Sequence, residues 1–144
     1  MPGKRDREGD KQFAVLPLKY EDGLTFVLLV TSRETRRWVL PKGWAERHLS
    51  GPELAAKEAF EEAGVTGEVR LEPIGSYRYE KRLANGRQVT CCVEVFPMRV
   101  DRLLNDWPER QQRTREWFTL AEAAAAVQEA DLGSLLLTYG EAHS

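Results

Sequence analysis

Apolar positions alternate from Phe13 to Tyr20, turn at Glu21-Asp22-Gly23, and resume in the Val- and Leu-rich stretch Leu24 to Thr31. This pattern predicts two strands joined as a hairpin. Trp38-Val39-Leu40 is a short apolar burst that Pro41 ends, and a loop is expected from there through Leu49. Ser50 with Glu53 has the spacing of a capping box, Pro52 fits a first helical turn, and Gly64 suits a C-terminal cap. Together they bound a helix. Asn85-Gly86, between the runs Gly67 to Leu83 and Arg87 to Val100, is a strong hairpin signal. The polar stretch Asn105 to Arg115 predicts a loop, and Trp117-Phe118 a short buried strand or turn. Thr119 with Glu122 forms a second capping box before the helix-forming run Ala123 to Val127, and Leu132 to Tyr139 predicts a short last helix. The order β-β-β-α-β-β-α implies an α/β (α+β) fold, a mixed sheet with helices on its two faces. Residues 1–10 are polar with mixed charge and are expected to be a flexible N-terminal tail, leaving residues 11–144 as a single domain.

A chain of 144 residues can bury a core without disulfide or metal staples. Its net charge of −2 argues neither for nor against a nucleic-acid partner, so any anion site must come from local clustering. Cys91 and Cys92 are adjacent, and strand neighbours point to opposite faces. They read as strand residues in a reducing compartment. With no apolar run of spanning length and no signal-peptide pattern, a cytoplasmic protein without membrane attachment is expected.

The predicted helix carries the chemistry. Glu58, Glu61 and Glu62 are three and four residues apart, so they project from one side. Ala56, Ala59, Phe60 and Ala63 are expected to form the opposite, sheet-facing stripe. Three clustered carboxylates repel one another, and two stand in the last turn, where the helix dipole disfavours anions. Simple solvation of a Glu-rich face is one way to offset this. A hard divalent cation is another, and an all-oxygen set favours Mg²⁺ or Mn²⁺.

The surrounding register favours the metal. Residues 43–65 read GWAERHLSGPELAAKEAFEEAGV. The stretch resembles the Nudix box, G-x5-E-x7-R-E-U-x-E-E-x-G-U with U aliphatic, and Gly43, Glu58, Glu61, Glu62, Gly64 and Val65 fall at matching positions. The resemblance implies a Nudix-like α/β/α sandwich, divalent-metal catalysis, and a phosphoanhydride substrate. By the same resemblance Glu58 and Glu62 are expected metal ligands, with a backbone carbonyl of Lys42 or Gly43. Glu61 is a ligand or the general base. Glu109 or Glu116 can supply a further carboxylate, although Glu116 reads equally well as a surface residue. Two positions depart from the pattern: Leu49 replaces the first glutamate and Lys57 the arginine. Lys57 is expected to pair instead with Glu53, one turn earlier.

Outside the box, from Lys11 to Val127, the chain resembles diphosphoinositol polyphosphate phosphohydrolases and their bacterial relatives. The matching features are Val30-Thr31-Ser32-Arg33, Arg37-Trp38 before Pro41-Lys42-Gly43, Asp106-Trp107, and Arg113-Thr114-Arg115-Glu116-Trp117-Phe118. Arg33, Arg36, Arg37, Lys42 and Arg47 surround the box's lead-in, and Arg78, Lys81, Arg82 and Arg87 surround the second hairpin. Arginine grips phosphate through a planar bidentate fork. Arg33, Arg37, Lys42 and Arg87 are therefore the expected substrate contacts, and a small-molecule polyphosphate is the expected partner. Diphosphoinositol polyphosphate and diadenosine polyphosphate both fit. RNA 5′-pyrophosphate removal, nucleotide cleansing, and a catalytically weak nucleotide sensor are the competing functions, and no RNA-binding module is present. His48 reads as a bystander in the loop after Gly43, and Trp44 can either stack a base or pack the loop. Oligomeric state is left open.

Overall fold

The computed structural model describes residues 7–143, with the side chains of residues 7–9 outside the description. Strand β1 (Arg7–Glu21) is the spine of an eight-stranded sheet. It turns at Asp22 (φ 52°) and Gly23 (φ 78°) into antiparallel β2 (Leu24–Thr31). Two successive left-handed residues give the twist that two-residue hairpins favour. Short β3 (Trp38–Val39) pairs with β2, and β4 (Lys42–Glu46) pairs with the first half of β1. Helix α1 (Gly51–Glu58) runs into a π-helical segment, Ala59–Ala63. Strands β5 (Val65–Val69) and β6 (Gly75–Arg82) both pair antiparallel with the long β7 (Gln88–Leu103), which lies parallel to β1. Strand β8 (Arg115–Thr119) closes the far side against β2, followed by α2 (Leu120–Ala126) and α3 (Ala130–Ala142).

Strand alternation divides the core. Phe13, Val15, Leu28, Val30 and Met98 pack under Leu54, Ala55, Ala59 and Ala63 of the first helix. Ala14, Leu16, Leu18, Val27, Leu29 and Val93 face Leu120, Ala123, Leu132 and Leu136 of α2 and α3. The expected mixed sheet between helices is the observed fold. Both capping boxes, the Gly64 cap, and the Asn85-Gly86 hairpin form as the sequence implies. Cys91 is buried and Cys92 partly so, and neither is in a disulfide. Among the described residues no helix is long and apolar enough to cross a membrane.

Several details differ. Lys42–Glu46 is a strand rather than part of a loop, because β1 is long enough to pair along its first half as well as its second. For the same reason Arg7–Asp10 lies in β1 rather than in a tail, and the rest of the expected tail, residues 1–6, lies outside the described residues. The sheet-facing side of the helix is rotated from the expected stripe. Leu54 and Ala55 are fully buried, whereas Phe60 is 42% exposed and Ala56 only half-buried. The largest aliphatic side chain of the helix, Leu54, takes the sheet contact. At about 100° per residue this turns Glu58 and Glu62 toward the flank of the buried side.

Candidate active site

The site is built on β4 and the end of the first helix. Opposed residues of an antiparallel pair share a face. Gly43 stands opposite Phe13 and so faces α1, while Lys42 stands opposite Ala14 and faces the α2–α3 side. Gly43 lets the helix approach closely: a Cβ there would lie 2.6 Å from Oε2 of Glu58. The backbone N–H of Lys42 points at Oε1 of Glu62, 3.4 Å away. Glu58 and Glu62, one turn apart, thus meet adjacent residues of β4, Gly43 and Lys42.

Glu62 is only 6% exposed. Burial pushes the Glu58 carboxyl up to about 9, helped by its hydrogen bond to Glu62 and by the charges of Glu62 and Glu61. Burial raises Glu62 too, against the opposing effects of its bond to Glu58 and of Arg113 and Lys42. The protonated Glu58 carboxyl donates to the Glu62 carboxylate. Without that proton, or a cation in its place, two buried like charges face each other. Among the described residues no three His, Cys, Asp or Glu side chains converge as a ready metal cage. The close set is the Glu58–Glu62 pair with the backbone of β4, and Glu61 is half-buried beside it. Oxygen donors and excess negative charge fit a hard divalent cation better than a soft one.

The far end of the helix is held by the polar loop between β7 and β8. A π turn redirects carbonyls from the regular ladder. Nε1 of Trp107 donates to the Glu62 carbonyl (3.1 Å), the Glu109 N–H to that of Glu61 (3.0 Å), and Nη1 of Arg115 to that of Ala63 (2.9 Å). The Arg115 guanidinium stacks 3.8 Å from the Trp107 ring centroid. From the same loop Arg113, its side chain 9% exposed, reaches Glu109 (2.7 Å), Glu62 (3.7 Å) and the Thr31 carbonyl (3.0 Å). Glu109 is therefore a carboxylate beside the site. Glu116 is exposed on β8, opposite Leu29.

Lys57 does not pair with Glu53, which is committed to the Ser50 cap. It pairs with Glu46 of β4 at 3.2 Å. Burial would lower the Lys57 pKa, but Glu46, Glu61 and Glu58 together outweigh it and raise the value. The Lys42 ammonium lies 5.1 Å over the Tyr79 ring, with burial lowering its pKa against the pull of Glu62 and Glu129. Arg33 and Arg36 bond to Gln112 and Thr114 and remain exposed, so the β2–β3 turn rests on the loop that carries Arg113. Arg37 bonds to Thr35 within that turn. Arg87 sits at the β6–β7 hairpin tip, tied by backbone contacts to Asn85 and Leu83. Lys42 thus meets Glu62 through its backbone while its ammonium lies over Tyr79, Arg33 and Arg37 lie on a neighbouring turn, and Arg87 stands apart. Trp44 is half-buried and His48 exposed. Sequence reading noted Trp107, Arg113 and Arg115 as a pattern without a role, and missed Glu129, for which no motif gave a signal.

These features define a class: an α/β/α domain whose helix, entered from a glycine-bearing edge strand, holds paired acidic side chains against that strand. The NUDIX domain family matches residues 10–137, and the chain belongs to it. It is 37% identical over 100 residues to Nudix hydrolase 12, mitochondrial, of Arabidopsis thaliana, covering 67% of this chain and 49% of that protein. It is 32% identical over 127 residues to diphosphoinositol polyphosphate phosphohydrolase 2 of Rattus norvegicus, covering 85% of this chain and 66% of that one. The chain spans about half the length of the first such relatives. Its fold is similar to that of the Ap4A hydrolase of C. elegans, with a TM-score of 0.65 at 18% identity, covering 93% of this chain and 98% of that one.

Proposed function

We propose that the protein is a Mg²⁺- or Mn²⁺-dependent pyrophosphohydrolase that cleaves a phosphoanhydride bond in a diadenosine polyphosphate or a diphosphoinositol polyphosphate. The observation that carries this reading is half-buried Glu58 against Gly43 beside buried Glu62, an arrangement that is electrostatically unfavourable unless a proton or cation sits between the carboxylates. Glu58 and Glu62, with a backbone carbonyl of Lys42 or Gly43, would hold the ion, and Glu61 is a further ligand or the base. The bound ion supplies charge neutralisation on phosphate oxygens and acidifies water at the site. A glutamate of the helix takes the proton from the attacking water. Lys42, held beside Glu62 and partly desolvated, offers positive charge to the phosphate nearest the reacting bond. Arg33 and Arg37 on the adjoining turn, with Arg87 farther out, add anion contacts for a longer chain of phosphates. The Lys57–Glu46 pair supports retained activity, since it ties the helix to β4 where Leu49 and Lys57 depart from the family pattern.

The reading is tested by following the cleavage products of diadenosine tetraphosphate, a diphosphoinositol polyphosphate, 5′-triphosphorylated RNA, a nucleoside triphosphate and ADP-ribose, with Mg²⁺ and with chelator. Metal-dependent turnover highest on one of the first two substrates is expected. Best turnover on RNA would move the assignment to 5′-pyrophosphate removal, and binding without turnover on any substrate would make the protein a sensor.

A further inference from the structure

On the α2–α3 face of the sheet, a polar patch interrupts an otherwise apolar core. Gln12 is 3% exposed and accepts a hydrogen bond from the Tyr79 hydroxyl at 2.7 Å. The Tyr79 ring carries the Lys42 ammonium, and Tyr77, also buried, neighbours Tyr79. Glu129 is the residue just before α3, the helix that packs on β6, the strand of Tyr77 and Tyr79. Its side chain makes no bond to the helix start. Its Oε1 is enclosed and has no hydrogen-bond partner among the described residues. Glu129 lies within electrostatic reach of Lys42, Tyr77 and Tyr79. Lys42 in turn feels both Glu129 and the Glu62 carboxylate. The patch is therefore continuous with the candidate site, around the edge of β4.

An enclosed carboxylate oxygen without a donor destabilises the free protein, and such groups are rare unless something else satisfies them. We propose that Glu129 is a specificity-determining residue whose buried oxygen accepts a hydrogen bond from an N–H or O–H of a nucleoside attached to the diphosphate. A nucleoside carries amine and hydroxyl donors. A fully phosphorylated ring presents acceptors and further negative charge, which Glu129 repels. The assignment rests on the hydrolase reading for its position beside the diphosphate, and it selects the nucleoside polyphosphates among the substrates named above.

The test uses two ligands that the protein cannot cleave by hydrolysis of a P–O–P bond, adenosine 5′-(α,β-methylene)diphosphate and methylenediphosphonate, titrated calorimetrically with Mg²⁺ present. The wild-type protein should bind the nucleoside ligand more tightly. Glu129→Leu should weaken it about 10- to 100-fold, as expected for a charge-assisted hydrogen bond, and leave methylenediphosphonate unchanged. Glu129→Gln, which keeps an acceptor and the shape, should retain part of the affinity. The melting temperature of the metal-free Glu129→Leu protein should rise, because an unpaired polar group is removed, whereas a structural glutamate would lower it on replacement. Equal weakening of both ligands, unchanged binding in both variants, or no wild-type preference for the nucleoside ligand would overturn the assignment. Since neither ligand is turned over, absence of hydrolysis would count against the pyrophosphohydrolase alone.

Discussion

Glu58 and Gly43 make a pair in which each residue limits the other. A methyl group at position 43 meets the Glu58 carboxylate at 2.6 Å, so Gly43→Ala should displace the carboxylate rather than the strand. Turnover should fall about a hundredfold or more with little loss of folding, comparable to losing a supporting contact at a metal ligand. Circular dichroism alongside kinetics checks this, and an active Gly43→Ala protein would break the link between the two residues. Glu58 also makes a pH prediction for the metal-free protein. Its folded-state pKa, about 9, lies above the usual carboxylate range, so the folded state keeps a proton that the unfolded chain releases. Stability from this group is fully present below about pH 4 and is lost as pH rises toward 9. The slope is at most about 1.4 kcal/mol per pH unit, reduced by the solvent Glu58 still meets. With chelator present, the thermal midpoint should fall from pH 5 to pH 9, and Glu58→Gln should flatten that trend. An equal slope in both proteins would remove Glu58 as its source.

At the scale of elements, the start of the acidic helix and its Gly64 cap were readable, and the π turn before that cap was not. Ser50, Pro52 and Glu53 act within one turn, so local chemistry fixes the cap. The π turn at Ala59–Ala63 depends on donors from Trp107, Glu109 and Arg115, far along the chain, and AFEEA alone has nothing to distinguish it from ordinary helix. The buried side was misjudged for a related reason: small alanines fit a sheet anywhere, and only the docking of Leu54 selects among them. Trp107→Phe keeps the ring but leaves the Glu62 carbonyl without its donor. It should cost about 1 kcal/mol of stability and weaken Mg²⁺ binding several-fold, measured by denaturant unfolding and calorimetry. The Lys57–Glu46 tie was likewise hidden, because β4 itself was not expected. Lys57→Ala and Glu46→Gln should reduce turnover to similar extents and couple in a double-mutant cycle, while Glu53→Gln should affect only helix stability. Additive effects of the first two would reduce the pair to surface charges.

For the whole molecule, fold class and the acidic helix followed from periodicity and spacing, whereas the route from helix to substrate did not. Lys42 stands on an edge strand, so its backbone meets the carboxylates on one face while its ammonium points to the other. A diphosphate held at that edge can present its remaining groups to Glu129 and the Tyr77–Tyr79 patch. The basic residues were found by their chemistry, yet only the tertiary fold separates Lys42, beside Glu62, from Arg87 at a hairpin tip. The central claim is that the buried carboxylate pair performs metal-dependent phosphoanhydride hydrolysis, and Glu62→Gln tests it most directly. Turnover of diadenosine tetraphosphate at saturating Mg²⁺ should drop about 100-fold or more while the fold stays intact. Near wild-type turnover in that folded variant would contradict the account.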